Sequence, residues 1–527
     1  NQRLSALSEE FGRNLMASTR ERAVSFTEEE LEGLPAERIA SAKADAEALG
    51  REGYVIPLEL PTVQSELSRL AREEARGRLY EASASRGSEN NIPGLIEAVQ
   101  LRAERAELLG FATHADYVIA EETAATAGAA RSMLFDLAPA AATNAAGEQK
   151  LLAEEAELNG QGFTAADWPY WESKVRARDF SLDEEELRKY FPLDQVLEKG
   201  VFAAAERLYG ITVTPRDDLE GYAEGVRVWE VRDGNVPHGE KEPHGIGLLL
   251  TDYFGRPTKR GGAWMSEFVG QSRLLERKPV IVNVMGITKP ADGSQPLLSM
   301  DEVRTVFHEF GHALHGLLSD VRYPSHSGTN VPRDWVEFPS QINENYAFAP
   351  EIARHYARHV DTGEVIPRPL LEALEASRQF GQGFSTAEYL AASAIDLAWH
   401  SLDDEIPSDI SAFEESVLRQ YGLDVDGLEP RYRSTWFNHI FAGGYSAGYY
   451  SYLWAEALDA DGYQLVAEEG INRATGAKFR EAILSKGASR DYAEAYRAFR
   501  GRDKDTRPLL QRRGLAGTAT DEPSPVQ

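Results

Sequence analysis

The chain has no cysteine among its 527 residues. Disulfides are excluded, and so is a metal held by thiolate; any bound metal must be held by histidine and carboxylate. The sequence shows no apolar run of membrane-spanning length and no signal-peptide pattern. Nor is there an excess of positive charge: 56 Lys and Arg face 85 Asp and Glu, a net charge of -29. That argues against nucleic acid as a partner, because its phosphates would be repelled. What is present, 42% hydrophobic and 27% charged residues, suits a globular protein with room for more than one lobe. The cytoplasm is the default compartment and a monomer the expected state. The chain begins at Asn1 and not at Met, so an upstream region, with any targeting signal, is expected to be missing.

The most informative stretch is Val306-Phe307-His308-Glu309-Phe310-Gly311-His312-Ala313-Leu314-His315. It contains His-Glu-x-x-His, the signature of zinc metallopeptidases. On an α-helix, residues four apart share a face, so His308 and His312 can present two imidazoles to one ion. Glu309 is the neighbour able to reach a water on that metal and act as a base. The flanks supply the helix. Ser299 and Glu302 read as a capping box, and Asp301 and Glu302 suit the positive end of the helix dipole. Val303, Val306, Phe307, Phe310, Leu314 and Leu317 recur at helical spacing, with Arg304 and three of the 11 histidines on another stripe. Stray histidines on a buried helix would need neither the cap nor the two faces.

Upstream, residues 1–208 read mostly as helices. The spacing predicts helices over Ile39–Leu49, Glu66–Ala82 and Ile92–Leu109, a loop at Gly87–Asn91, and a break at Pro139 splitting Ala124–Leu158 in two. Near Gly225 the pattern changes. Val226–Val231, Gly245–Asp252 and Pro279–Val284 are short apolar runs that predict a small β-sheet, with a Gly-rich loop, Lys259–Trp264, between the last two. An edge strand of that sheet could pair with an extended peptide. Phe479–Ser485 and Tyr492–Arg500 read as closing helices.

Two histidines leave a catalytic zinc short of its usual third protein ligand. After a Gly/Asn/Pro turn, the stretch from Ser327 to Asn345 is amphipathic and rich in carboxylates. A second helix packed on the first would present Glu337 from the side, making it the expected third ligand. Asp334 and Glu344 are alternatives that residue types alone do not separate from it. His315 sits a turn beyond His312, and sharing one tetrahedral ion among all three histidines would bend the helix. Packing or support of a ligand is the expected role for His315.

A second unusual segment runs from Phe437 to Trp454. Tyr445, Tyr449 and Tyr452 fall at i, i+4 and i+7, which predicts one helix face, with Gly443-Gly444 as a flexible entry. An aromatic core stripe would explain the spacing. Three phenols in a core, however, each need a hydrogen-bond partner, and a peptidase needs donors aimed at a developing oxyanion.

The run from Val303 to Asn345, with Lys259–Met265, Thr288–Gly293, Phe437–Trp454 and Arg513-Gly514-Leu515, resembles the thimet oligopeptidase family of zinc metallopeptidases. Within it, the chain is most similar to the bacterial dipeptidyl carboxypeptidase branch. The likeness covers nearly the whole chain. It implies a mainly α, two-lobed zincin-type fold, with a small β-sheet beside the active-site helix and a deep substrate channel. It implies one Zn2+ held by His308, His312 and Glu337, with a zinc-bound water attacking and Glu309 as general base. Short peptides would be the substrates, losing dipeptides from their C-termini; an endo-acting oligopeptidase is the alternative, and a non-catalytic peptide-binding protein a remoter one. The resemblance also implies catalytic roles for Tyr449, Tyr452 and His439, and substrate binding by Tyr445, Gly443 and Gly444. The thimet oligopeptidase spacing between the His and the Gly-Gly is one residue shorter; this chain follows the dipeptidyl carboxypeptidase spacing. Residues 1–60 then read as the remainder of an N-terminal helical region, 61–515 as the catalytic region with both lobes, and 516–527 as a disordered tail.

Overall fold

The computed structural model describes residues 1–58, 66–180, 184–234, 244–256, 259, 262–287, 290, 294–403 and 406–515. The expected tail at 516–527, residues 260 and 261 of the Gly-rich loop, and most of Thr288–Gly293 lie outside the described residues. The chain forms two compact units. One comprises Asn1–Ser181, Glu375–Tyr450 and Leu510–Gln527; the other comprises Leu182–Leu374 and Ser451–Leu509. Most of the described chain is helical.

In the first unit a two-stranded antiparallel ribbon, β1 (Val24–Phe26) with β2 (Tyr54–Ile56), joins the helices. The helix expected from Glu66 starts at Glu73 and ends at Ala84. Before it the chain is drawn away by a non-local bond, Ala71 N–H donating to Glu32 O at 2.8 Å. Ile92–Leu108 is helical as the spacing predicts. The break at Pro139 does not occur: Ala127–Leu158 is one helix of 32 residues with Pro139 inside it. A buried stripe including Met133, Leu134, Leu137, Ala138, Ala141 and Ala145 packs it along the helix Gln382–His400. That packing outweighs the one backbone bond proline removes.

In the second unit five strands form one sheet: β3 (Ile211–Pro215), β4 (Arg227–Asp233), β5 (His244–Phe254), β6 (Trp264–Val269) and β7 (Val280–Ile287). Their spatial order is β3-β4-β5-β7-β6. The β5–β7 pair is parallel and the others are antiparallel. Three strands match the predicted runs, while β3 and β6 are additional. Trp264, expected in a loop, opens β6. That strand lies at the sheet edge, with most of its residues half-buried and no alternation for the sequence to display.

The signature stretch lies on the helix Met300–Leu317, which packs on β5, β6 and β7. Its capping box is complete: Ser299 Oγ accepts the Glu302 N–H at 3.1 Å, and Glu302 Oε2 accepts the Ser299 N–H at 2.7 Å. Val303, Val306, Phe307 and Phe310 are fully buried. A second helix, Arg333–Glu344, packs against it, and Ser451–Glu469 packs on that one in turn. Among the described residues, no helix is long and apolar enough to cross a membrane.

Candidate metal centre and active site

The two packed helices bring three side chains of the second unit to one point. Glu337 Oε2 lies 3.2 Å from His308 Nε2 and 3.1 Å from His312 Nε2. The two rings are 4.8 Å apart and nearly perpendicular, so their Nε2 atoms converge instead of stacking. Among the described residues, His308, His312 and Glu337 are the group able to hold a metal, with ligand atoms all within 4.8 Å of one another. Two imidazoles and a carboxylate suit a small divalent ion, whose bonds to such donors run about 2.0–2.2 Å.

Supporting contacts fix these donors. His308 Nδ1 is 2.7 Å from Glu344 Oε1, a carboxylate–histidine pair of the kind that orients a ligating ring. Ser340 Oγ donates to Glu337 Oε2 at 3.0 Å. Asn343 Nδ2 donates to Phe307 O at 2.6 Å, tying the two helices together beside the site. Of the carboxylates left open by the sequence, Glu337 stands among the donors and Glu344 behind one of them. Asp334 is buried at the start of its helix and outside the group. His315 is also outside it. It is fully buried, and burial lowers its pKa to about 3.

The charges are coupled. Burial pulls the His308 ring down, but Glu337 and Glu344 outweigh it and hold the ring well above its usual range. Burial pushes Glu337 up, but His312 and His308 hold it well below the usual carboxylate range. Glu309 is 4% exposed. Burial raises its pKa, with the two imidazoles pulling the other way. Its Oε2 has no hydrogen-bond partner, an acceptor held ready beside the metal group.

The tyrosines do not share a helix face. Ser451–Glu469 is helical and carries Tyr452, but Tyr445–Tyr450 is a turn, with Ala447 in the left-handed region at φ 54°. The turn is set by a residue far away in sequence: Asp396 accepts the N–H groups of Ala447 and Tyr449, each at 2.8 Å. Tyr452 is half-buried in the second unit, where Gln341 Nε2 donates to its carbonyl at 3.4 Å. Tyr445, Tyr449, His439, Gly443 and Gly444 belong to the first unit. There the His439 ring lies 5.5 Å from Tyr449 and 6.0 Å from Tyr445, and Tyr449 stacks on Tyr389 at 4.9 Å. Burial, then Arg431, lowers the His439 pKa; burial pushes the Tyr449 phenol up. Gly443 and Gly444 are exposed, and Gly444 has φ +80°.

Sequence reasoning missed Glu344 as a brace, although it stands two turns beyond Glu337 on one helix face. It also missed Asp396, for which no local signal exists.

Residues 67–515 match the model of Peptidase family M3. The chain is 40% identical to dipeptidyl carboxypeptidase of Salmonella typhimurium over 531 residues, covering 98% of this chain and 76% of that protein. Identity to the Escherichia coli dipeptidyl carboxypeptidase is also 40%, with the same coverage. Identity to oligopeptidase A of Salmonella typhimurium is 34% over 534 residues, 98% of this chain and 77% of that protein.

Proposed function

The chain belongs to peptidase family M3, and we propose that it is a zinc peptidase that removes dipeptides from the free C-termini of short peptides. Membership makes it a metallopeptidase; the metal identity and the exopeptidase specificity are our reading. The observation that carries it is the convergence of His308, His312 and Glu337 beside the unpaired Glu309 carboxylate. The higher identity to dipeptidyl carboxypeptidases than to oligopeptidase A supports the specificity.

His308, His312 and Glu337 would hold the zinc. Bound there, it supplies Lewis acidity that polarises the peptide carbonyl and acidifies a water. Glu309 takes the proton of the attacking water and returns it to the leaving amine, a task that suits a carboxyl raised by burial. Tyr449 and Tyr452 supply hydroxyl donors to the developing oxyanion, and His439 assists at the same step. Tyr445 and the Gly443-Gly444 backbone bind the peptide. The working state is a monomer in the cytoplasm.

Glu309→Gln tests the chemistry. Hydrolysis should be abolished while one metal per chain is retained, because Glu309 is not among the converging donors. Loss of the metal in that variant would contradict this role. The endo-acting alternative shares the chemistry and differs in products. A purely peptide-binding protein would have no use for Glu309.

A further inference from the structure

The turn that carries Tyr445 and Tyr449 rests on a buried polar chain that peptide chemistry does not itself require. Asp396 is fully buried, and both of its oxygens are committed to backbone: Oδ1 to the Ala447 N–H and Oδ2 to the Tyr449 N–H. Behind it, His400 Nδ1 lies 2.8 Å from Asp396 Oδ1, and His400 Nε2 lies 2.7 Å from Arg102 Nη1. A guanidinium only donates, so Nε2 is the acceptor; Nδ1 carries the ring hydrogen and donates to Asp396. The imidazole is thereby neutral and fixed in orientation, and it links a buried cation to a buried anion. Next to His400, with ring centroids 5.1 Å apart, His114 reaches the same turn: its Nε2 lies 3.0 Å from Ser446 Oγ. Arg102, His114, Asp396 and His400 are all buried.

Such a chain is a poor way to make a core stable. Well-packed apolar residues in place of a buried ion pair are often neutral or stabilising. What the chain does accomplish is local. Ala447 holds a conformation that residues with a side chain rarely adopt, and surrounding contacts must enforce it. Two carboxylate bonds, on Ala447 itself and two residues on, supply that enforcement. Beyond the clamp, Gly443 and Gly444 at the tip are exposed.

We propose that Asp396, oriented by His400 and Arg102, is a positioning residue of the peptidase reaction: it holds the backbone of the turn so that Tyr445 and Tyr449 meet the peptide in one preset conformation. The inference rests on the role proposed above for these tyrosines. A donor that must be aimed at a developing charge contributes most when it needs no reorganisation, and misplacement by about 1 Å can cost about a hundredfold in rate.

The test uses the metal-loaded full chain and three variants: Asp396→Asn, Tyr449→Phe and the double. Asp396→Asn should lower kcat about a hundredfold through Tyr449, raise KM through the freed Tyr445, leave metal content nearly unchanged, and speed exchange of the Ala447 and Tyr449 amides at least ~tenfold. In the double variant the two losses in kcat should not multiply, because both act through the same hydroxyl. Asp396→Asn with near-normal kcat, or losses that multiply, would overturn the proposal. Near-normal kcat in Tyr449→Phe alone would instead count against the role proposed for Tyr449. The clamp is then judged by exchange, and unchanged exchange in Asp396→Asn overturns it. Should Asp396→Asn fail to fold, the unsubstituted protein still decides: the Ala447 and Tyr449 amides should exchange at least ~tenfold more slowly than that of Gly444, and equal exchange would refute the clamp.

Discussion

Gly311, inside the His-Glu-x-x-His signature, lies against Ser340 of the helix that carries Glu337. A Cβ on Gly311 would come 2.6 Å from Ser340 Cα and 2.7 Å from Pro339 O, both backbone atoms that cannot swing aside. The closeness of the two helices is what allows a carboxylate three residues before Ser340 to reach both imidazoles. Gly311→Ala should therefore push them apart. Overpacking of this kind costs about 1–3 kcal/mol, and metal affinity should fall with it. Thermal unfolding with and without metal, beside a metal titration, checks both. An alanine variant with unchanged affinity would show that the close approach is not what sets the site.

Glu337→Ala should remove most metal binding. Glu344→Gln should weaken it about ten- to a hundredfold, since it keeps the donors and loosens the His308 ring. His315→Ala should leave affinity nearly unchanged and lower stability through the cavity it makes. Metal content after dialysis against a graded chelator ranks the three. Loss of metal in the His315 variant with retention in the Glu337 variant would refute the ligand set.

Metal affinity should fall as the pH is lowered. In the metal-free site Glu337 and Glu344 hold His308 well above its ordinary pKa, so the ring keeps its proton further into the neutral range. A metal must displace that proton, and lower pH opposes the displacement. Titrations across a pH series should show affinity climbing until the raised value is passed. A flat profile would mean that His308 gives up no proton when the metal binds.

Tyr449→Phe and Tyr452→Phe should lower kcat more than they raise KM in at least one case. Removing one oxyanion donor typically costs about a hundred- to a thousandfold in kcat. Steady-state kinetics on a single peptide decides this. Near-normal turnover in both variants would return these rings to packing.

What the sequence made legible was local. The signature helix could be read from its cap and its period, because Ser299, Glu302 and the apolar stripe are within one element. Glu337 could be nominated but not singled out: its partnership with His308 and His312 depends on a helix crossing, and the Gly311–Ser340 contact that permits it has no sequence period. Pro139 misled because packing along the helix Gln382–His400 overrides an intrinsic preference. The tyrosine face was inferred from spacing alone. Asp396, some fifty residues away, holds the chain out of helix at Ala447, and nothing near Tyr445 announces it. Strand β6 was lost for want of alternation, and its place at the sheet edge emerges only from its pairing with β7.

The central claim is that dipeptides are released from free C-termini. It requires a group that holds the terminal carboxylate two residues beyond the scissile bond, and such charge-assisted contacts are strong. The most direct measurement compares one peptide as free acid and as C-terminal amide, with every fragment identified by mass. The acid should lose C-terminal dipeptides successively, and kcat/KM should fall severely for the amide. Equal rates for the two forms, or cleavage at scattered internal bonds, would contradict it and favour the endo-acting alternative.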